Sequence, residues 1–214
     1  MNTILFDLDG TLTDPYEGIT KSILYALEAC DVFDDDPQKL RNCIGPPISY
    51  SFREIYGLPE DRIPYAIRKY RERYGKIGWA ENVPLEGVYE MLDALKAKGK
   101  RMAVASSKPK AFVDQIIEKF GLKPYFEVVT GSGLDGSLGT KALVMQEAIR
   151  LLGASKEDVV MVGDRKHDVL GAKECGVKVI GIETGYAEEN ELKDAGADFV
   201  VSDFSSLTKL LLSL

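Results

Sequence analysis

The sequence predicts an α/β protein: a doubly wound, mostly parallel sheet with a Rossmann-like core and an α-helical domain inserted after the first strand. Three observations lead there. Short apolar, largely β-branched runs recur along the chain, as in strands covered on both faces of a parallel sheet. From residue 84 onward these runs alternate with stretches of helical spacing, the pattern of right-handed βαβ units. Between the first run and the second lie roughly 65 residues with helical patterns and no strand, far more than a crossover helix needs.

Taken in order, Ile4-Leu5-Phe6 is the first strand, and the insertion carries helical patterns over 17–30, 37–43, 48–56 and 61–75. Residues 86–98 place Val88, Met91, Leu92 and Leu95 on one helical face. Met102-Ala103-Val104-Ala105 is the second core strand, with a helix over 109–120. Phe126-Glu127-Val128-Val129 is the third, with a helix over 140–152. Val159-Val160-Met161-Val162 and the helix 168–175 follow, then Val177-Lys178-Val179-Ile180 and 188–195, then Phe199-Val200-Val201 and 204–212. The expected domains are 1–14 with 81–214 for the core and 15–80 for the insertion. Their junctions are Thr13-Asp14-Pro15 and the segment from Gly78 to Pro84.

The 214 residues suffice for one large domain, or for a core with a smaller insertion. Asp and Glu number 34 against 27 Lys and Arg, a net charge of -7. That balance lacks the broad positive field of a nucleic-acid binder. Cys30, Cys43 and Cys175 are far apart and form no CxxC, which fits buried thiols in a reducing compartment rather than a disulfide or zinc framework. A charged residue at Asp7 leaves no room for a signal peptide, and Leu210-Leu211-Leu212 falls well short of the ~18 apolar residues of a membrane span. A cytoplasmic protein without nucleic-acid or membrane partners is expected, as a monomer or homodimer.

In an open α/β sheet, function belongs at the carboxyl ends of the strands. The first strand ends in Asp7-Leu8-Asp9-Gly10-Thr11. Residues two apart on an extended chain point the same way, so both carboxylates face one site before Gly10 turns the chain. The second strand ends in Ser106-Ser107-Lys108. The fourth ends in Gly163-Asp164, with Asp168 four residues on and expected on the same helical face. Lys141 starts the helix after the third strand. Four carboxylates on one edge repel unless a cation neutralises them. An all-oxygen set without Cys or His suits a hard ion, and few protein ligands with retained waters suit Mg²⁺. Such an ion, with Lys141 and a hydroxyl, forms a receptor for a phosphoryl group. A carboxylate beside it is an in-line nucleophile and the second a general acid and base.

Asp7-Leu8-Asp9-Gly10-Thr11-Leu12-Thr13, Ser106, Lys141 and Gly163-Asp164-Arg165-Lys166-His167-Asp168 resemble the four signature motifs of the haloacid dehalogenase-like hydrolases, in order and over essentially the whole chain. The insertion resembles the helical cap of the phosphoglycolate phosphatase-like subfamily. The resemblance implies that Asp7 is the nucleophile and a magnesium ligand. Asp9 is implied as the general acid and base, lending its backbone carbonyl to the metal. Ser106 is implied as a hydrogen-bond donor to the phosphoryl oxygens, Lys141 as the cation holding Asp7 and the phosphoryl group, Asp164 as a direct ligand and Asp168 as an assisting one. A second acid favours a phosphate ester over a carbon–halogen bond, because an alkoxide must be protonated as it leaves and a halide need not be. Relatives often carry the lysine in a Lys-Pro context, whereas here it is Thr140-Lys141-Ala142, and Lys108 is the alternative.

Other features compete for attention. Gly131-Ser132-Gly133-Leu134-Asp135-Gly136 formally matches GxGxxG but precedes its helix by too much, and is read as a turn delivering Lys141. The run from Asp7 to Gly18 lacks the glycine and final glutamate of a calcium loop. His167 is read as a loop or helix-surface residue, and Arg68 to Tyr74 as a solvated basic helix face. Ile44-Gly45-Pro46-Pro47 resembles the family's cap loop that faces the active site, so Gly45, Pro46, Arg53 and Ser107 are candidate substrate contacts, and Arg41 flanks them. A mobile cap would exclude water and then admit it. The expected activity is a Mg²⁺-dependent phosphomonoesterase on a small soluble phosphate ester. Phosphoglycolate comes first; nucleoside 5′-monophosphates and pyrophosphate are open, a sugar-phosphate mutase is the enzyme rival and a phospho-Asp receiver the non-catalytic one.

Overall fold

The computed structural model describes residues 1–214. Along the chain the elements are β1 (Thr3–Phe6), β2 (Thr13–Asp14), α1 (Tyr16–Glu28), α2 (Pro37–Asn42), a single turn α3 (Ile48–Tyr50) and α4 (Ile63–Lys76). Then come β3 (Val83–Pro84), α5 (Val88–Ala97), β4 (Arg101–Pro109), α6 (Lys110–Lys119), β5 (Val128–Ser132) and α7 (Lys141–Leu152). The chain closes with β6 (Val159–Gly163), α8 (Lys166–Cys175), β7 (Lys178–Ile182), α9 (Glu191–Asp194), β8 (Phe199–Val201) and α10 (Phe204–Ser213). It divides into two compact units, Met1–Thr13 with Pro84–Leu214, and Asp14–Val83.

The first unit is built on a parallel six-stranded sheet in the order β5-β4-β1-β6-β7-β8. β1 lies inside because the chain winds outward from it twice, once through β4 and β5 and once through β6, β7 and β8. The crevice of such a sheet opens where the winding reverses, beside β1. Alternating side chains cover both faces. Leu5, Ala103, Met161 and Val179 join α7 and α8 in one core layer, while Ile4, Phe6, Val104, Val160, Val162 and Ile180 are buried at the intervening positions. α5 and α10 pack on each other.

Register decides which polar residues meet. Phe6 lies level with Val104 on one side and Val162 on the other. The residues just beyond, Asp7, Ser106 and Gly163-Asp164, therefore come out on one edge. β4 runs past the expected 102–105 to Pro109, with a shift in its pairing to β5 between Ala105 and Pro109. An irregularity of this kind bends a strand and re-aims its side chains, and it occurs here at the polar end. Asp164 departs from the expectation of a shared helical face with Asp168: α8 begins at Lys166, so Asp164 lies in the turn before the helix. The helix expected over 188–195 shortens to Glu191–Asp194.

The second unit is helical. α1 packs on α4, burying Ile19, Ile23, Leu27, Ala66 and Tyr74. The pattern at 48–56 becomes one α-turn followed by a π-helical turn over Ser51–Ile55. The basic run on α4 is tied into ion pairs: Arg73 forks Glu81 at 2.8 and 2.9 Å, and Lys69 meets Glu72 at 3.0 Å. All three cysteines are buried and free. No helix is long and apolar enough to cross a membrane.

Candidate active site

Asp7 is the first residue past β1. Its backbone N–H donates to Val162 O at 3.0 Å, and its Oδ1 accepts from Leu8 N–H at 2.8 Å. The chain then turns sharply, with Leu8 O accepting from the N–H groups of Leu12 and Thr13 at 2.9 Å. Gly10 makes this turn possible. Its φ is +79°, and a Cβ there would lie 2.2 Å from Asp164 Oδ2. Gly10→Ala is therefore expected to lower stability by about 1–2 kcal/mol from the backbone alone and to displace the Asp164 carboxylate. Thermal denaturation, with Mn²⁺ titration of the same variant, checks both consequences.

Three carboxylates gather at the crevice: one oxygen each of Asp7, Asp164 and Asp168 lies within 4.8 Å of the others. Asp164 is 1% exposed; Thr11 Oγ1 donates to its Oδ1 at 2.8 Å, while its buried Oδ2 has no hydrogen-bond partner. Asp168 is N3 of α8, and its Oδ2 accepts from Arg165 N–H at 3.1 Å.

Two lysines enter this group. Thr140 caps α7, accepting from Leu143 N–H at 3.3 Å, and so sets Lys141 at the first helical position. Lys141 Nζ lies 2.9 Å from Asp7 Oδ1, 2.8 Å from Asp168 Oδ1 and 3.1 Å from Ala105 O. With Asp168 the contact is a buried ion pair. Gly171 lets this stem pass, since a Cβ on α8 there would lie 2.7 Å from Lys141 Cγ. Lys108 Nζ bonds Asp9 Oδ1 at 2.6 Å, with both side chains largely buried. The two lysines are thus partners rather than alternatives: one serves Asp7 and Asp168, the other Asp9.

Burial governs the protonation of this group. It pushes the Asp9 carboxyl up, and the Lys108 charge opposes the shift without reversing it. Burial also pushes Asp164 well above its ordinary value, and the Asp168 and Asp7 charges add to that. Asp168 is pushed up to about 6, again by burial first, with Lys141 pulling the other way. For Lys141, burial works against the charge, but Asp168 and Asp7 outweigh it and hold the ammonium firmly protonated. Four carboxylates against two ammonium groups leave an excess of two negative charges when all are ionised, which is the charge of one divalent cation. Together with the orphaned Asp164 Oδ2, an oxygen-only donor set fits such an ion.

Of the remaining expected residues, Ser106 is buried on the irregular part of β4 and its Oγ accepts from Lys108 N–H at 3.3 Å. Ser107 accepts at its carbonyl from Ser132 Oγ at 2.8 Å. Gly45, Pro46 and Arg53 belong to the helical unit. Gly45 is exposed with φ +102°, Pro46 is half-buried, and Arg53 forks Glu60. His167 is half-buried on the first turn of α8, its pKa lowered by burial and by the Arg165 and Lys166 charges.

Residues 4–182 match the protein family described as "Haloacid dehalogenase-like hydrolase". The chain belongs to this family. The haloacid dehalogenase-like hydrolase described here is 39% identical to a 5′-nucleotidase of Pseudomonas aeruginosa, over 97% of this chain and 94% of that one. It is 36% identical to the tyrosine-protein kinase PtkA of Mycobacterium tuberculosis, over 97% of this chain and 70% of the relative. A predicted phosphatase from Clostridium acetobutylicum shares the structure with a TM-score of 0.95 and 42% identity, covering 100% of this chain and 99% of the other. Predicted phosphoglycolate phosphatases are also structural neighbours, such as that of Haemophilus somnus, with a TM-score of 0.82 and 24% identity. The haloacid dehalogenase-like hydrolase is thus an enzyme of the phosphatase class, with an acidic cluster typical of a metal site.

Proposed function

We propose that the chain is a Mg²⁺-dependent phosphomonoesterase that hydrolyses a small soluble phosphate ester through an aspartyl-phosphate on Asp7. One observation carries the reading: Asp7, Asp164 and Asp168 converge within 4.8 Å while Lys141 bridges Asp7 and Asp168. Asp7, Asp164 and Asp168 would hold the cation, with the Asp9 carbonyl as the further ligand. When bound, Mg²⁺ supplies charge neutralisation between the anionic nucleophile and the anionic ester.

The remaining work belongs to the chain. Leu8 N–H and Lys141 both engage Asp7 Oδ1, so Oδ2 is assigned the attack on phosphorus. As the Oδ2–P bond forms, the ester P–O bond breaks and Asp9 delivers its proton to the departing oxygen. Burial keeps that proton on Asp9 to higher pH than usual, which suits an acid. In the second half the Asp9 carboxylate takes a proton from water, water oxygen bonds phosphorus, and the Oδ2–P bond breaks to return Asp7. Ser106 and Lys141 would orient the phosphoryl oxygens. Choice of the leaving group is assigned to the helical unit, with Gly45, Pro46 and Arg53 as candidates, and to Ser107.

Among ester classes, the reading favours nucleoside 5′-monophosphates over phosphoglycolate, supported by the 39% identity to a 5′-nucleotidase. The test is phosphate release with Mg²⁺ and with EDTA across nucleoside monophosphates, phosphoglycolate, sugar phosphates and pyrophosphate. Highest kcat/KM on a nucleoside monophosphate, lost in EDTA, is the expected result. Release from none of them overturns the reading. Hexose-phosphate isomerisation without release would make the chain a mutase, and a persistent phospho-enzyme without turnover a switch or a transferase.

A further inference from the structure

The turn that carries Asp164 and Asp168 is held from outside the acidic cluster. Arg165 stands between the two acids at the N-cap of α8, and its backbone N–H already serves Asp168 Oδ2 at 3.1 Å. Its guanidinium runs the other way, to Glu191 at the start of α9: Nε lies 2.9 Å from Oε1 and a terminal nitrogen 3.3 Å from Oε2. The same carboxylate accepts from Lys166 N–H at 2.8 Å and from Glu188 N–H at 3.3 Å. Both side chains are buried, Arg165 at 7% and Glu191 at 8% exposure.

We propose that Glu191 is a positioning residue for the divalent-cation site, acting through Arg165 and the Lys166 N–H to fix the turn that presents Asp164 and Asp168. Two physical consequences follow from its removal. A planar guanidinium matched to a carboxylate fork loses that fork in a buried place, which is costly. The Lys166 N–H loses its acceptor as well, so the turn that carries Asp164 and Asp168 is no longer tied to α9. Partners one step removed from a metal's ligands typically alter affinity by ~10–100-fold.

The inference rests on the divalent-cation reading of the site, and the experiment separates the two. Mn²⁺ binding to the full chain, wild type and Glu191→Gln, is measured by electron paramagnetic resonance of the free ion, alongside thermal denaturation and the Mg²⁺ dependence of phosphate release. Wild type is expected to bind Mn²⁺, and Glu191→Gln to bind it about 10-fold or more weakly. Its half-saturating Mg²⁺ is expected to rise in parallel, with kcat at saturating Mg²⁺ within about twofold of wild type. Arg165→Lys, which retains the charge but lacks the fork, is expected to shift binding in the same direction and carries the test if Glu191→Gln does not fold. A folded variant with a lowered melting temperature but wild-type Mn²⁺ affinity overturns the inference, because Glu191 would then be structural only. A wild type that binds no Mn²⁺ overturns the cation reading itself.

Discussion

Asp7→Asn is expected to abolish turnover, lowering kcat by about 10⁵-fold or more on whichever ester is best, as for loss of other covalent nucleophiles. The substitution is nearly isosteric. Lys141 keeps Asp168 at 2.8 Å as a counter-charge, and the Asp7 backbone bond to Val162 is untouched, so the fold should survive. The amide removes one of the charges crowded around Asp164 and Asp168, both of which feel Asp7. The metal-free variant should therefore be no less stable than wild type at neutral pH. An inactive but intact protein separates loss of chemistry from loss of structure. Rapid quench with labelled ester should trap acid-stable, hydroxylamine-labile phosphate on wild type and none on the variant. Residual activity above about 1% of wild type would sink the covalent assignment, because general acid catalysis and binding alone do not compensate for a missing nucleophile.

Much of this site is legible in the sequence because its signals are local. Asp7 and Asp9 follow a buried apolar run at the spacing that puts two side chains on one side, and Asp164 follows another such run. Lys141 opens a periodic helix just after Thr140, a good cap. What stays hidden depends on pairs far apart in the chain. Lys108 is visible as a basic residue at a strand end, yet its partner Asp9 is 99 positions away. A usable signal existed: four carboxylates carry two more charges than one divalent cation offsets, so the site calls for both lysines rather than a choice between them. The pairing shift after Ala105 has no mark in an apolar pattern, because the residues involved are polar or proline. Glu191 is harder still. It opens a four-residue helix, too short for periodicity, and its role rests on Arg165, 26 residues earlier.

Magnesium is expected to stabilise the protein strongly at about pH 8 and weakly at about pH 5, with the difference set by Asp164 and Asp168. The sign follows from their burial. Asp168 is pushed up from 3.8 to about 6, and Asp164 is raised too, so the metal-free native state binds these protons more tightly than the unfolded chain does. Below about pH 4 both states hold the proton and nothing is lost; as pH rises through about 6 the native state must ionise a buried acid and stability falls. The raised Asp168 carboxyl thus lowers the melting temperature of the metal-free protein as pH rises through this window. A divalent cation favours the ionised form, so its binding, and the stability it adds, grows over the same window. Acids whose pKa is lowered, such as Glu81 beside Arg73 and Glu191 beside Arg165, tilt the total curve the other way. The decisive quantity is therefore the difference between melts with and without Mg²⁺, followed across pH in wild type and in Asp168→Asn. In the variant the pH dependence of that difference should flatten. A magnesium increment independent of pH in wild type would mean that Asp164 and Asp168 are both already ionised at about pH 5, and would overturn this assignment.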